Sequence, residues 1–181
     1  MPEQSTSAAG PGCDVPIAVS IGSNLGPRRE LLVSAVTSLA DLLDDLHVSS
    51  LYETEPLHLP DQPRFLNACC TGRTTLAPLA LLRRLLDIER RAGRDRAGPR
   101  YGPRTLDLDV LLVGEMVVRE PGLEVPHPRL RERAFVLVPL AEIAPEWIVP
   151  ESQGRPAAAV ADLASRIDAS GVRRLAGAPW W

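Results

Sequence analysis

Val15-Pro16-Ile17-Ala18-Val19-Ser20-Ile21, followed by Gly22-Ser23-Asn24-Leu25-Gly26, joins a short apolar, β-branched run to a run of turn-forming residues. That composition predicts a buried strand over residues 15–21 entering a tight loop. From Pro27 onward Leu31, Leu32, Ala35, Val36, Leu39, Leu42 and Leu43 recur at helical spacing. A proline near the helix start costs little, because its missing N–H would have no intrahelical partner there. Residues 47–53 and 65–74 read as strands, separated by a loop containing Pro56, Pro60 and Pro63 that is too long for a tight hairpin. A second helix over residues 78–91 turns Leu79, Leu82, Leu85, Leu86 and Ile88 inward and its arginines outward.

Gly93, Gly98, Pro99 and Pro103 break that period, and residues 106–113 return to strand, with a hairpin partner expected at 116–118. The order β-α-β-β-α-β predicts an α+β fold of ferredoxin-like type, an antiparallel sheet with two helices on one face. C-terminal additions follow, among them an Ala-rich helix from residue 156 to 166, and the closing Gly-Ala-Pro-Trp-Trp says nothing about chemistry.

With 181 residues, 45% of them apolar, the chain can bury one sizeable core, so residues 15–181 are expected to form one domain. Residues 1–14 are small and polar without a basic start or apolar run, and read as a flexible tail rather than a signal peptide. Nearly balanced charge, 20 basic against 23 acidic residues, gives no global field for nucleic acid or an anionic membrane. All 20 basic residues are arginine, which excludes a lysine-containing phosphate loop and suits bidentate phosphate recognition; a GC-rich genome would give the same bias. Cys13, Cys69 and Cys70 form neither a disulfide framework nor a zinc spacing, which fits a reducing, cytoplasmic setting. No stretch is long enough to span a bilayer.

Chemistry concentrates in Gly102-Pro103-Arg104-Thr105-Leu106-Asp107-Leu108-Asp109-Val110-Leu111. On a strand, Asp107 and Asp109 share a face while Leu106, Leu108 and Val110 enter the core. Two such carboxylates repel unless a divalent cation becomes their shared partner, and hard oxygen ligands favour Mg²⁺ bound together with phosphates. Taken alone, an Asp-x-Asp is more often a pair of solvated acids. The context is eight arginines between positions 83 and 104, of which Arg90, Arg91, Arg94, Arg96, Arg100 and Arg104 flank a broken loop beside the acids. Acids beside movable arginines suggest a polyphosphate clamp, although the helical arginines also suit a water-facing surface. His127, between Pro126 and Pro128, reads singly as a surface residue. Phe65 and Phe135 are ordinary core candidates, or, with the Asn67 amide, a sandwich for a flat heterocycle.

Gly22-Ser23-Asn24-Leu25, Tyr52-Glu53-Thr54, Asp61-Gln62-Pro63 with Phe65-Leu66-Asn67, Gly102 to Asp109, Val125-Pro126-His127-Pro128 and Arg133-Ala134-Phe135-Val136-Leu137 together resemble the hydroxymethyldihydropterin pyrophosphokinase family. The likeness runs in order from residue 17 to 150, and Arg104-Thr105-Leu106-Asp107-Leu108-Asp109 is its most specific part. The resemblance implies transfer of the terminal pyrophosphoryl unit of ATP to the hydroxymethyl oxygen of the pterin, with AMP leaving. It implies two Mg²⁺ ions on Asp107 and Asp109, Arg94 and Arg104 as mobile and fixed phosphate clamps, and further ATP contacts at Glu89, Arg96, Val110, His127 and Arg133. It also implies a pterin stacked between Phe65 and Phe135, read by Asn67 and by the chain at Thr54, Glu55 and Leu57, with Gly22 permitting close approach. Loops at 22–26, 55–64 and 92–103 would close over both substrates of a monomer with no nucleic-acid or membrane partner.

Tyr101, Glu55, Pro128 and the pair Gly122 and Glu124 depart from the family pattern, which bears on loop packing and ATP contacts more than on reaction class. Two rival readings use the same sheet. A palm-like nucleotidyl transferase or cyclase leaves Phe65, Asn67 and Phe135 unexplained. An RNA-binding module lacks the basic-aromatic signature expected on its central strands.

Overall fold

A computed structural model describes residues 14–56, 61–95 and 102–181. Along its first strand, β1 (Val15–Ser23), successive side chains point to opposite faces. Ile17, Val19 and Ile21 enter one buried apolar cluster and Ala18 enters another, so β1 is covered on both sides. The first cluster is roofed by α1 (Arg28–Ala40) and α2 (Pro78–Arg91), which contribute Leu32, Val36, Leu39, Leu81, Leu85 and Ile88. The second lies under α3 (Ala134–Ile143) and α4 (Val160–Arg166), through Val136, Leu137, Leu140 and Val160.

The sheet between these layers is antiparallel. β4 (Phe65–Thr74) runs beside β1, and β5 (Asp107–Val113) lies on the other side of β1. β2 (Asp44–Val48) and β3 (Leu51–Thr54) pair successively along β4, and β10 (Val172–Ala176) closes the outer edge against β3. Two small hairpins complete the mixed architecture: β6 (Val118–Glu120) with β7 (Leu123–Val125), and β8 (Ile148–Val149) with β9 (Ala158–Ala159). No helix among the described residues is long and apolar enough to cross a membrane.

Several expectations need correction. The strand expected over 47–53 is broken at Ser49 and Ser50, which lie between β2 and β3. Residues 116–118 do not pair with β5. Val118 instead opens β6, which returns through Pro121-Gly122 to β7, because Gly122 adopts a φ of +84 and a proline followed by such a glycine suits a tight turn. The two expected helices do cover one face, but α3 and α4 cover the other, and α3 carries Phe135. The Ala-rich helix is shorter than expected, since Ala158 and Ala159 pair with β8 first. Of the predicted tail, only Asp14 is described; it pairs with Arg73 at 2.5 Å.

Candidate active site

Strand pairing places a single row across the sheet. Tyr52 opposes Asn67, Asn67 opposes Gly22, and Gly22 opposes Asp107. All four stand on the sheet face that carries α3; Tyr52 is buried against that helix through Glu142, while Gly22, Asn67 and Asp107 border an open cleft. Gly22 matters for its missing side chain: a Cβ there would stand 2.9 Å from Asn67 Oδ1. The Asn67 side chain is buried and oriented by a hydrogen bond from its Nδ2 to Thr54 Oγ1 at 2.8 Å. The cleft rises above Gly22, Asn67 and Asp107, walled by Phe65, Phe135, Thr54, Glu55, Pro56 and Gln62 and bounded by Arg104, Arg129 and Arg133. Arg133 also lies over the Phe135 ring, 5.5 Å from its centroid.

The end of α2 delivers Arg94 to the acid pair. Gly93, at φ +74, terminates the helix; its N–H donates to Arg90 O at 3.1 Å and the Arg94 N–H to Glu89 O at 3.1 Å, the paired bonds of a Schellman motif. This reversal throws Arg94 across to β5, where Nη1 meets Asp107 Oδ1 at 2.5 Å and donates to Leu106 O at 2.7 Å. Arg104 holds the other Asp107 oxygen through its Nη1. Burial alone would raise the Asp107 carboxyl, but the Arg104 and Arg94 guanidiniums outweigh it and hold the group below the ordinary carboxylate range. Glu89 is almost fully buried; its Oε1 accepts the Leu108 N–H at 2.8 Å and lies 3.5 Å from Arg94 Nη1.

Asp109, two residues on, keeps a different company. Its Oδ2 lies 3.1 Å from Arg133 Nη1 and 3.7 Å from His127 Nε2. His127 is fixed because β5 skips a residue in its pairing with β1, and the Leu111 carbonyl accepts the His127 N–H at 2.9 Å. Burial drives the imidazole pKa below its ordinary value; Asp109 opposes this, and Arg133 and Arg129 add to it. Asp109 also borders a second open cleft between α2 and the β6–β7 hairpin, lined by Leu79, Leu82, Arg83, Leu86, Leu108, Pro121 and Gly122.

Of the residues singled out in the sequence, Gly22, Thr54, Glu55, Phe65, Asn67, Arg104, Asp107, Arg133 and Phe135 line the first cleft together. Arg94, Glu89 and His127 stand behind it through the contacts above. Val110 lies in the core beneath α2, on neither cleft lining. Leu57 and Arg96, as well as Arg100, fall outside the described residues. Of the α2 leucines expected to turn inward, Leu85 is buried in the core and Leu79 and Leu82 pack against it while also walling the second cleft, where Leu86 joins them. Sequence reasoning gave no role to Gln62 or Arg129, although both stand in segments otherwise rich in site residues.

The acid pair suits Mg²⁺. Asp107 and Asp109 offer hard oxygens on one face, and the guanidiniums of Arg94, Arg104 and Arg133 now occupy positions where positive charge is favoured. Among the described residues no cluster of three or more His, Cys, Asp or Glu forms a protein cage for a metal. One or two carboxylates completed by phosphates and water is the arrangement Mg²⁺ accepts.

Residues 18–145 match the sequence profile of the family described as 7,8-dihydro-6-hydroxymethylpterin-pyrophosphokinase. A 2-amino-4-hydroxy-6-hydroxymethyldihydropteridine pyrophosphokinase of Pseudomonas aeruginosa is 43% identical over 164 residues, covering 90% of this chain and 98% of the relative. The enzyme of that name from Synechocystis is 44% identical over 137 residues, covering 74% and 69%. A crystal structure of Plasmodium falciparum HPPK-DHPS shares the fold at a TM-score of 0.65 and 13% identity, over 85% of this chain. This chain spans 44% of that longer one. The site geometry and the length of these matches agree, and the chain belongs to the 7,8-dihydro-6-hydroxymethylpterin-pyrophosphokinase (HPPK) family.

Proposed function

We propose that the chain uses ATP to pyrophosphorylate 6-hydroxymethyl-7,8-dihydropterin in folate biosynthesis, yielding AMP and the pterin diphosphate. Membership of the family supports the reaction, and one observation supports its layout here: Asp107 and Asp109, neighbours on one strand face, border two different clefts. The first, with Phe65 and Phe135 as walls and the Asn67 amide on its floor, suits a flat heterocycle that needs both stacking and hydrogen-bond readout. The second, with leucine walls and Arg83 at its rim, suits the nucleotide. A triphosphate running between them crosses the acid pair. A nucleotidyl transferase leaves the aromatic and amide groups of the first cleft without a ligand, and an RNA-binding module lacks the basic-aromatic signature on its central strands.

In this layout the pterin hydroxymethyl oxygen attacks the β-phosphorus. The bond from that phosphorus to the bridging oxygen on the α side breaks, AMP departs with the electron pair, and the hydroxyl proton passes to solvent. Arg94 and Arg104 exchange Asp107 for phosphate oxygens, Arg133 and His127 face the phosphates from the Asp109 side, and Asn67 with Thr54 orients the acceptor. Glu89 steadies Arg94 and the start of β5. Mg²⁺, two ions in this reading, would be held by Asp107 and Asp109 and would shield the triphosphate charge. Catalysis then rests on positioning and electrostatics.

The strand order β5–β1–β4–β3, with α1 and α2 on one face, supports a ferredoxin-like core. The pairing of β10 with β3 supports one domain over residues 15–181. The buried free thiols of Cys69 and Cys70 suit a reducing cytoplasm. Incubation with ATP, Mg²⁺ and hydroxymethyldihydropterin, followed by mass detection, tests the reaction: AMP with a pterin diphosphate is expected, and ADP or free pyrophosphate overturns it. Asp107→Ala and Asp109→Ala are each expected to reduce turnover by about a hundredfold or more. Circular dichroism and pterin titration should show fold and pterin affinity largely retained, and near-normal turnover in both variants would defeat the metal assignment.

A further inference from the structure

Asn24 follows the last strand residue of β1 and is 1% exposed. An amide side chain has one acceptor oxygen and a donor nitrogen with two hydrogens. Both ends are used: Oδ1 accepts the Arg104 N–H at 2.7 Å, while Nδ2 donates to Gln62 Oε1 at 3.0 Å and to Pro63 O at 3.1 Å. The backbone adds to the grip, since the N–H groups of Asn24 and Leu25 donate to the Arg104 carbonyl at 3.0 and 3.1 Å. Arg104 therefore has both main-chain polar groups fixed by this turn while its guanidinium holds Asp107.

The ladders cannot supply this link. Pairing of β1 with β4 stops at Ser23 and Leu66, and pairing with β5 stops at Gly22 and Asp107. Beyond those ends, Asn24 ties the segment entering Phe65 and the segment carrying Arg104 to one another. An aspartate would keep the acceptor for Arg104 but turn a second oxygen toward two oxygens, those of Gln62 and Pro63, and an alanine would serve neither side.

We propose that Asn24 is a positioning residue that sets the spacing between the pterin wall and the phosphate-binding arginine through the two ends of one buried amide. This rests on the pyrophosphokinase reading, which supplies the pterin and the phosphate. Asn24 does not line the first cleft and acts through Arg104 on one side and Gln62–Pro63 on the other.

The test compares wild type, Asn24→Ala and Asn24→Asp for kcat, KM of each substrate, Kd of pterin and of a non-hydrolysable ATP analogue measured singly, and melting temperature. For Asn24→Ala, kcat is expected to fall about tenfold or more while each single-ligand Kd stays within about threefold, because each wall survives and their mutual spacing does not. For Asn24→Asp, the pterin KM is expected to rise about fivefold or more with the ATP KM nearly unchanged, since only the Gln62–Pro63 side is disturbed. A folded Asn24→Ala variant with wild-type kcat overturns the proposal. If that variant does not fold, Asn24→Asp decides, and an unchanged pterin KM overturns it. Wild-type protein that forms no pterin diphosphate defeats the underlying reaction instead, an outcome read from a separate sample.

Discussion

Gly22 is where one atom decides most. Its hydrogen lets the Asn67 amide lean over β1, and because Asn67 is also tied to Thr54, that amide cannot simply move away from an added methyl. Gly22→Ala is expected to fold and to weaken pterin binding by about tenfold, equivalent to ~1.4 kcal/mol, while leaving the affinity for an ATP analogue unchanged. Titration calorimetry with each ligand checks this, and equal pterin affinity would count against the close approach. Much of this scale was legible: alternation on a strand put Asp107 and Asp109 on one face without any partner being known. Glu89 was not legible by the same means. A charged residue on an amphipathic helix is ordinarily solvated, and only the turn at Gly93 brings Arg94 and β5 over it.

Glu142 shows how elements are joined. Near the end of α3, it accepts hydrogen bonds from Ser50 N at 3.0 Å, Ser50 Oγ at 2.6 Å, Tyr52 Oη at 2.9 Å and Arg174 Nη2 at 3.2 Å, thereby linking α3, the β2–β3 break and β10. Burial pushes its carboxyl pKa up, but the Ser50 and Tyr52 hydrogen bonds prevail and leave it below the ordinary value of 4.5. A lowered folded value means stability that is present above the unfolded pKa and lost as pH falls through the folded one. Melting temperature should therefore decline below pH 4.5, and Glu142→Gln should flatten that decline. Tyr52 works with the opposite sign: burial and then Glu142 raise it from 10.0 to about 12, so its contribution holds below pH 10 and fades above it. Tyr52→Phe should remove that alkaline loss in the same scan. At this scale β4 and α2 occupy the residues that their patterns indicated, whereas the β2–β3 break and the β6–β7 hairpin do not follow from periodicity. Pro121-Gly122 was the available signal for the second of these.

Across the whole molecule, the C-terminal segment returns to the start of the fold. Trp180 is buried, its Nε1 donates to Ser49 O at 2.8 Å, and its carbonyl accepts from Arg29 Nη2 at 3.3 Å. Trp180→Ala is expected to cost about 3–5 kcal/mol, measured by urea unfolding, because a large ring leaves a cavity between distant elements. The sequence could not announce this contact, since a tryptophan near a terminus carries no local period to place it. The row from Tyr52 through Asn67 and Gly22 to Asp107 has a further consequence for how the gene can change. Adding or removing one codon within any of those four strands would turn its reading residue toward the opposite layer, even if every side chain kept its identity. Descendants of this chain can therefore vary the lengths of the connecting loops, while the frame that holds the reacting groups admits an added residue only where a bulge absorbs it, as β5 does at Leu111.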